Sequence, residues 1–512
     1  MPSLDIAVLL GAVVILLAIG AARLGSRLGM PALLLFLVLG MALGQTLPGY
    51  GFQNAELAHD LGFIALAVIL AEGGLTTKWD DIKPVLGLAG LLATVGVVLS
   101  IGLVGLFGYF VLGLPRSVAF LVGAVTAPTD SAAVFSVLRS VPLPHRLRAV
   151  LEGESGLNDA PTVLLVAAGT EFALGISPRG GIPGLVGLVV VELVGGILVG
   201  LFVGWVGVQF LRRVALPAAG LYPLAVMAWT LTAYGLSVVG HVSAFAAVYV
   251  CAMVLGNARL PHRHPTRSFA EGLGWVAQIG LFIMLGMLAT PERIDSVAVR
   301  DGVLVGVFLT FVVRPIAVVA CAVWFRMPWR QQAFLSWAGL RGAVPIILAT
   351  VPLVASIPQS GLLFDLVVVF VVVFTALQAP TLGWVARRLG LVDPLAATDA
   401  DVEVAPLEHE DADLLRITVP PHSRLAGVTI RELRLPPNAV VALIIRDGGS
   451  FSPDGHTALQ ARDALLIVTP AQHRAAVEDR LTQIGRGGRL AHWRGIRVGE
   501  AAPDLGVEQS DE

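Results

Sequence analysis

The 512-residue chain is 56% hydrophobic and 14% charged, with a formal net charge of -2. A soluble domain carries about a quarter of its residues as charges. Here the apolar excess comes in repeated runs of about 20 residues, the length that crosses a bilayer, which excludes one large soluble core. Nothing in the charge balance points to a nucleic-acid partner.

Thirteen apolar segments are expected as spans: 4–22, 31–47, 58–75, 86–112, 117–138, 149–173, 183–210, 221–239, 241–256, 271–289, 300–325, 332–351 and 361–386. The first begins almost at Met1, with no basic n-region or cleavage pattern, and is expected to stay as a span. Taking alternate connections, one set holds sixteen Lys and Arg residues and the other only Arg116, Arg179, Arg293 and Arg300. The basic set belongs inside. The N-terminus is therefore expected outside and everything after Arg388 in the cytoplasm. Cys251 and Cys321 are the only cysteines and lie in apolar runs, so they are expected as small core residues.

Two spans are interrupted. Span five carries Gly123, Pro128 and Asp130, and span twelve carries Gly339, Arg341, Gly342 and Pro345. Irregular backbone at membrane depth survives only where protein or a water-filled cavity satisfies it. Five and twelve differ by seven, so a repeat of spans one to six as eight to thirteen would be inverted, and paired breaks in inverted halves point to a transport site. Either break alone reads equally well as an ordinary kink. The expected fold is an all-α polytopic membrane protein of 13 transmembrane helices in two inverted six-helix repeats with broken crossing helices, spanning 1–390.

Beyond it, 391–413 is an acidic linker running from Asp393 to Asp413. Strand-like runs follow at 414–419, 439–446 and 464–469, separated by D-G-G and S-P-D-G turn signals, with a closing helix at 471–484. Residues 414–484 are expected as a small α+β cytoplasmic domain and 485–512 as a polar tail.

The chemistry concentrates between Thr126 and Pro161. Ionisable residues inside a membrane are functional candidates by default. Glu154, Ser155, Asn158 and Asp159 fall at i, i+1, i+4 and i+5 on one helical face. The Asp159 carboxylate, the Ser155 hydroxyl and carbonyls freed at a break suit a monovalent cation. The same carboxylate can hold a proton instead, which couples the two fluxes. Glu154 is expected to pair with Arg341. Asp130 is expected to compensate helix-end charge at the break. Arg314, followed by Pro315, needs an acidic partner that the sequence does not name. Glu72 reads either as an interfacial residue or as part of the cation path. His262 and His264 have an H-x-H spacing but lie in the basic run 259–267, read as a solvated loop, and His241 reads as interfacial. No cofactor is expected.

G-A-V-T-A-P-T-D-S-A-A-V, L-E-G-E-S-G-L-N-D-A-P-T and W-A-G-L-R-G-A-V-P resemble the motifs of the monovalent cation:proton antiporter-1 family, of NhaP type, over about residues 4–390. The resemblance implies a homodimer exchanging Na+ or K+ for H+ electroneutrally. It implies Asp159 as the shared ion and proton carboxylate and Asn158 as its neighbour, with Ser155, Thr129 and Glu72 as cation ligands. It also implies the Glu154–Arg341 pair. Asn rather than Asp at 158 fits the electroneutral branch. T-A-P-T-D at 126–130 departs from the pattern of many members, which place the proline after the aspartate. The segment after 414 is similar to the TrkA C-terminal (RCK-C) regulatory domain, which implies K+ as the favoured ion and a small cytoplasmic ligand, nucleotides among the possibilities. A regulated cation channel is the competing class, but no T-V-G-Y-G-like filter occurs. Neither H-E-x-x-H nor G-x-S-x-G occurs to support a membrane enzyme.

Overall fold

The computed structural model describes residues 4–28, 30–46, 54–130, 133–134, 143–176, 181–289, 294–392, 401–407, 412–420, 423–470 and 473–487. These fall into two compact units, Met1–Val392 and Asp393–Glu512.

The first unit is helical. Its elements are α1 (Leu4–Leu28), α2 (Ala32–Thr46), α3 (Ala55–Thr76), α4 (Trp79–Phe110), α5 (Arg116–Thr126), α6 (His145–Ala173), α7 (Gly181–Arg213), α8 (Leu221–Val239), α9 (Ala244–Asn257), α10 (Arg263–Leu288), α11 (Ser296–Phe325), α12 (Trp329–Trp337), α13 (Ala343–Val354) and α14 (Ser360–Arg388). Among the described residues, eight helices are long and apolar enough to cross a membrane, and four shorter apolar ones accompany them. Prolines in extended conformation, Pro115, Pro144 and Pro328, lead directly into α5, α6 and α12. At that position the missing N–H costs no helical hydrogen bond. Asn54 caps α3 by accepting from the Leu57 amide at 3.0 Å. Cys251 and Cys321 are buried, free thiols.

Two helices contain a π-helical turn, Leu92–Gly96 in α4 and Leu309–Val313 in α11. The second directly precedes Arg314 and Pro315, whose missing N–H removes one rung of the helical ladder. Residues 263–267 differ from the loop expected there, because α10 begins at Arg263 with His262 in a left-handed conformation at its N-cap. The His262 ring packs 4.8 Å from that of Tyr222. Among the described residues, no group of three or more His, Cys, Asp or Glu side chains is placed to hold a metal.

Glycine sets how closely the helices approach. A Cβ on Gly40 would collide with the Ile283 carbonyl, and one on Gly286 with that of Leu37, so α2 and α10 touch backbone to backbone.

The second unit carries an antiparallel sheet in the order β1 (Asp401–Leu407), β2 (Ala412–Thr418), β5 (Ala464–Pro470), β3 (Val440–Arg446), β4 (Gly449–Phe451). Asp447 and Gly448 have positive φ and join β3 to β4, the Asp-Gly two-residue hairpin. β1 lies inside the stretch expected to be a linker and pairs with β2 along its whole length. Short α15 (Ile430–Leu433) starts in a Thr429–Glu432 capping box. The core packs Leu415, Ile417, Ile444, Leu465 and Ile467 against Val477, Leu481 and Ile484. The last three come from α16 (Arg474–Gly487), which ends three residues beyond the expected boundary. The rest of the tail lies outside the described residues.

Asp463 is fully buried and takes a bidentate pair from Arg446 at 2.8 and 2.7 Å, plus the Gln460 amide at 2.7 Å. Burial pushes its carboxyl up, but these donors outweigh it and hold it below the usual carboxylate range. Two outcomes follow. Gly286→Val should lower the thermal stability of the purified protein by about 2 kcal/mol through overpacking, whereas Gly11→Val, whose Cβ meets nothing within 4 Å, should leave the melting curve unchanged. Because the Asp463 value is depressed on folding, its contribution is complete above about pH 4 and is lost as pH falls through the folded value. Asp463→Asn should therefore flatten the acid limb of the second unit's unfolding curve, measured by circular dichroism between pH 2 and 7.

Candidate functional site

The site is built where two chain breaks meet. α5 stops at Thr126, and residues 127–130 are not helical. Residues 338–342 separate α12 from α13. The breaks are stitched together by the Asp130 amide, which donates to the Leu340 carbonyl at 2.9 Å. Helix ends present partial charges, and two ionised side chains meet them. Arg341 donates from Nε to the Thr126 carbonyl at 3.1 Å and from Nη1 to the Gly339 carbonyl, at the carbonyl ends of α5 and α12. Asp130 Oδ1 accepts from the Ala133 amide at 3.3 Å, and its other oxygen lies where a Cβ on Gly342 would be, at the amide end of α13. Only a glycine fits at 342.

α6 passes beside this crossing and presents its polar face to it. Ser155 Oγ donates to the Thr129 carbonyl at 2.6 Å, and Asn158 Nδ2 donates to Thr129 Oγ1 at 2.8 Å. Glu154, Ser155, Asn158 and Asp159 are all buried. Asn158 Oδ1 and Asp159 Oδ1 have no hydrogen-bond partner among the described residues. A buried carboxylate oxygen without a donor is costly, and a cation or a proton would remove that cost. The Thr129 carbonyl has a second acceptor lone pair beyond the bond it takes from Ser155.

The expected Glu154–Arg341 pair is not the one present. Glu154 is held by Arg314, with Nη1 to Oε1 at 2.5 Å and Nη2 to Oε2 at 2.8 Å, both side chains buried. This joins α6 to α11 instead of to the second break, and it supplies the acidic partner that Arg314 lacked in the sequence. The arginines lie close together, since a Cβ on Gly339 would sit 2.8 Å from Arg314 Nε and 2.9 Å from Arg341 Nη1. The reason for the difference is geometric. The π-turn inserts a residue just before Arg314 and changes the face on which its side chain leaves α11, while Arg341 is occupied by carbonyls.

A cavity of 520 Å³ opens onto this arrangement, with Thr129, Asp130, Ser155, Asp159 and Glu72 in its wall. Glu152, Glu271 and Tyr249 also line it, and sequence reasoning missed all three. A signal existed for Glu271, since A-E-G occurs at both 71–73 and 270–272. Tyr249 offered only a hydroxyl in an apolar run, a group that needs a partner when buried.

Residues 12–388 match the family described as sodium/hydrogen exchanger, transmembrane. The chain belongs to the sodium/hydrogen exchanger family. Residues 414–482 match the TrkA-C domain. The exchanger is 33% identical to the K(+)/H(+) antiporter NhaP of Alkalimonas amylolytica, over 91% of this chain and 82% of that one. It is 30% identical to NhaP2, a K(+)/H(+) antiporter of Shewanella oneidensis, over 98% and 89%. Na(+)/H(+) antiporter NhaH of Halobacillus dabanensis is 29% identical over 74% of this chain and 98% of its own. The fold is that of the sodium proton antiporter MjNhaP1 from Methanocaldococcus jannaschii, with a TM-score of 0.65 at 22% identity over 75% of this chain and 99% of that one. This exchanger is thus a multi-pass membrane protein and a cation/proton antiporter.

Removing one member of a buried pair leaves an uncompensated charge and costs about 3–5 kcal/mol. Glu154→Leu and Arg314→Met should each depress the exchanger's melting temperature sharply, and the double variant should recover most of the loss. Arg341→Met combined with Glu154→Leu should show no such recovery in the same thermal assay.

Proposed function

We propose that the chain exchanges a monovalent cation, K+ in preference to Na+, for H+ in a one-for-one, electroneutral cycle across the cell inner membrane. The observation that carries this is the unpartnered Asp159 oxygen in the cavity wall beside Ser155 and the Thr129 carbonyl. In the cation-loaded form Asp159, Ser155 Oγ and the Thr129 carbonyl ligate the ion. Glu72 reaches it from the cavity wall, and Asn158 holds Thr129 in place. In the proton-loaded form the same carboxyl is neutral. Either cargo brings one positive charge to one carboxylate, so the loaded forms carry equal charge and the cycle moves none. Competition for a single group suffices for coupling, without any cofactor.

The preference for K+ is supported by the relatives named K(+)/H(+) antiporters, which align over nearly the whole chain, C-terminal region included. In this reading the spans number thirteen and form inverted halves. The π-turns in α4 and α11 and the breaks after α5 and α12 are then two pairs of features, each seven spans apart. The sixteen-to-four charge bias sets the N-terminus outside and the TrkA-C unit in the cytoplasm. There the unit binds a small ligand, a nucleotide among the candidates, and regulates exchange in a homodimer.

The test is exchange in proteoliposomes under clamped voltage, wild type beside Asp159→Asn. The wild type should dissipate a pH gradient on addition of K+, and more weakly with Na+, without a membrane potential. Asp159→Asn should fold and show no exchange; activity equal to wild type in that variant would refute the assignment. Truncation after Asp393 should leave an active core with an altered pH or ligand response.

A further inference from the structure

Tyr249 has no part in the ion ligation described above, yet it lines the same cavity. It is buried, at 4% exposed, in the middle of α9. α9 is fixed on both sides by backbone contacts. A Cβ on Gly74 of α3 would lie 2.7 Å from the Tyr249 carbonyl, and one on Gly256 would meet the Leu75 backbone. On the other side, Cβ atoms on Gly196 and Gly200 of α7 would meet the carbonyls of Ser243 and Ala247. At its inner end Asn257 ties α9 to the α3–α4 turn, donating to the Thr77 carbonyl and accepting from the Trp79 amide, both at 2.9 Å. The Tyr249 backbone is thus part of a rigid wall.

α6 meets this wall differently. A Cβ on Gly156 would lie 2.6 Å from both Cζ and the hydroxyl oxygen of Tyr249, and the nearest atoms there all belong to the ring side chain. Gly156 is the residue directly after Ser155 and three before Asp159. The phenol therefore bears on the one turn of α6 that carries both groups, and it shares the cavity wall with them. A helix held at one point by a ring cannot change its depth there unless the ring or the helix gives way. A shift of a few tenths of an ångström alters the space between Asp159, Ser155 and the Thr129 carbonyl. Ions that differ in radius by about that amount feel such a change unequally.

We propose that Tyr249 is a positioning residue that sets cation selectivity: seated on Gly156, its ring fixes how far the Ser155–Asp159 turn stands from the break carrying Thr129. This rests on Asp159 as the cation carboxylate. The ring acts by bulk, so Tyr249→Phe should keep wild-type behaviour, while Tyr249→Leu removes the brace and Gly156→Ala overfills the seat.

The test measures apparent KM for K+ and for Na+ in proteoliposomes, with wild type and Asp159→Asn in parallel. Gly156→Ala and Tyr249→Leu should each change the K+ to Na+ ratio of KM by about tenfold, within the reach of a sub-ångström misplacement, with the maximal rate much less affected. In the Gly156→Ala/Tyr249→Leu double variant the new methyl occupies space vacated by the ring, and the ratio should return towards wild type. Should Gly156→Ala fail to fold, Tyr249→Leu against Tyr249→Phe carries the comparison alone. An unchanged KM ratio in Tyr249→Leu, or effects that simply multiply in the double variant, would overturn the inference. If that happens while Asp159→Asn is inactive, the antiporter reading stands; if Asp159→Asn exchanges like wild type, that reading falls first.

Discussion

Two breaks in helices at membrane depth create eight backbone groups or more that no helix satisfies, and the architecture around the cavity is arranged to meet that need. The breaks solve part of it for each other, through the Asp130 amide on the Leu340 carbonyl. The rest falls to charge. Arg341 takes the carbonyl ends and Asp130 the amide ends, so each side chain faces the helix poles opposite to its own sign. Neither group is then available as a free ion, and among the described residues the buried carboxylate with an unsatisfied oxygen is Asp159.

The Glu154–Arg314 pair fits the same logic one layer out. In the proposed mechanism a second free carboxylate beside Asp159 would compete for the cation, and a second uncompensated arginine beside Arg341 would repel it. Locking the two together in a bidentate, buried contact removes both problems. A buried pair is weak support for stability in itself; in the proposed cycle it keeps Glu154 out of the competition for the cation.

The sequence announces the breaks, because Pro128, Asp130, Gly339, Arg341 and Gly342 stand out in apolar runs, and it announces the polar face of α6 by spacing alone. Among the described residues, eight helices are long and apolar enough to cross a membrane, and four shorter apolar ones accompany them. Partner choice was not legible. Periodicity assumes 3.6 residues per turn, and a π-turn before Arg314 breaks that phase, so the arginine that reaches Glu154 could not be told from the one that does not. β1 was hidden for another reason: its alternating D-V-E-V pattern sits in an acidic stretch with little hydrophobic signal. Tyr249 was invisible because its proposed role depends on which glycine of α6 its ring packs against.

The claim on which the account stands is that cation and proton compete for one carboxylate, and the most direct test is the pH dependence of apparent K+ affinity. Exchange rates would be measured over a matrix of K+ concentration and pH on the same side of the membrane. Competition predicts that apparent KM rises about tenfold per pH unit on the acid side of the carboxylate's transition, with the rate at saturating K+ unchanged. An apparent KM that stays flat while the saturating rate falls would mean that proton and cation occupy separate groups, and would contradict the single-carboxylate mechanism.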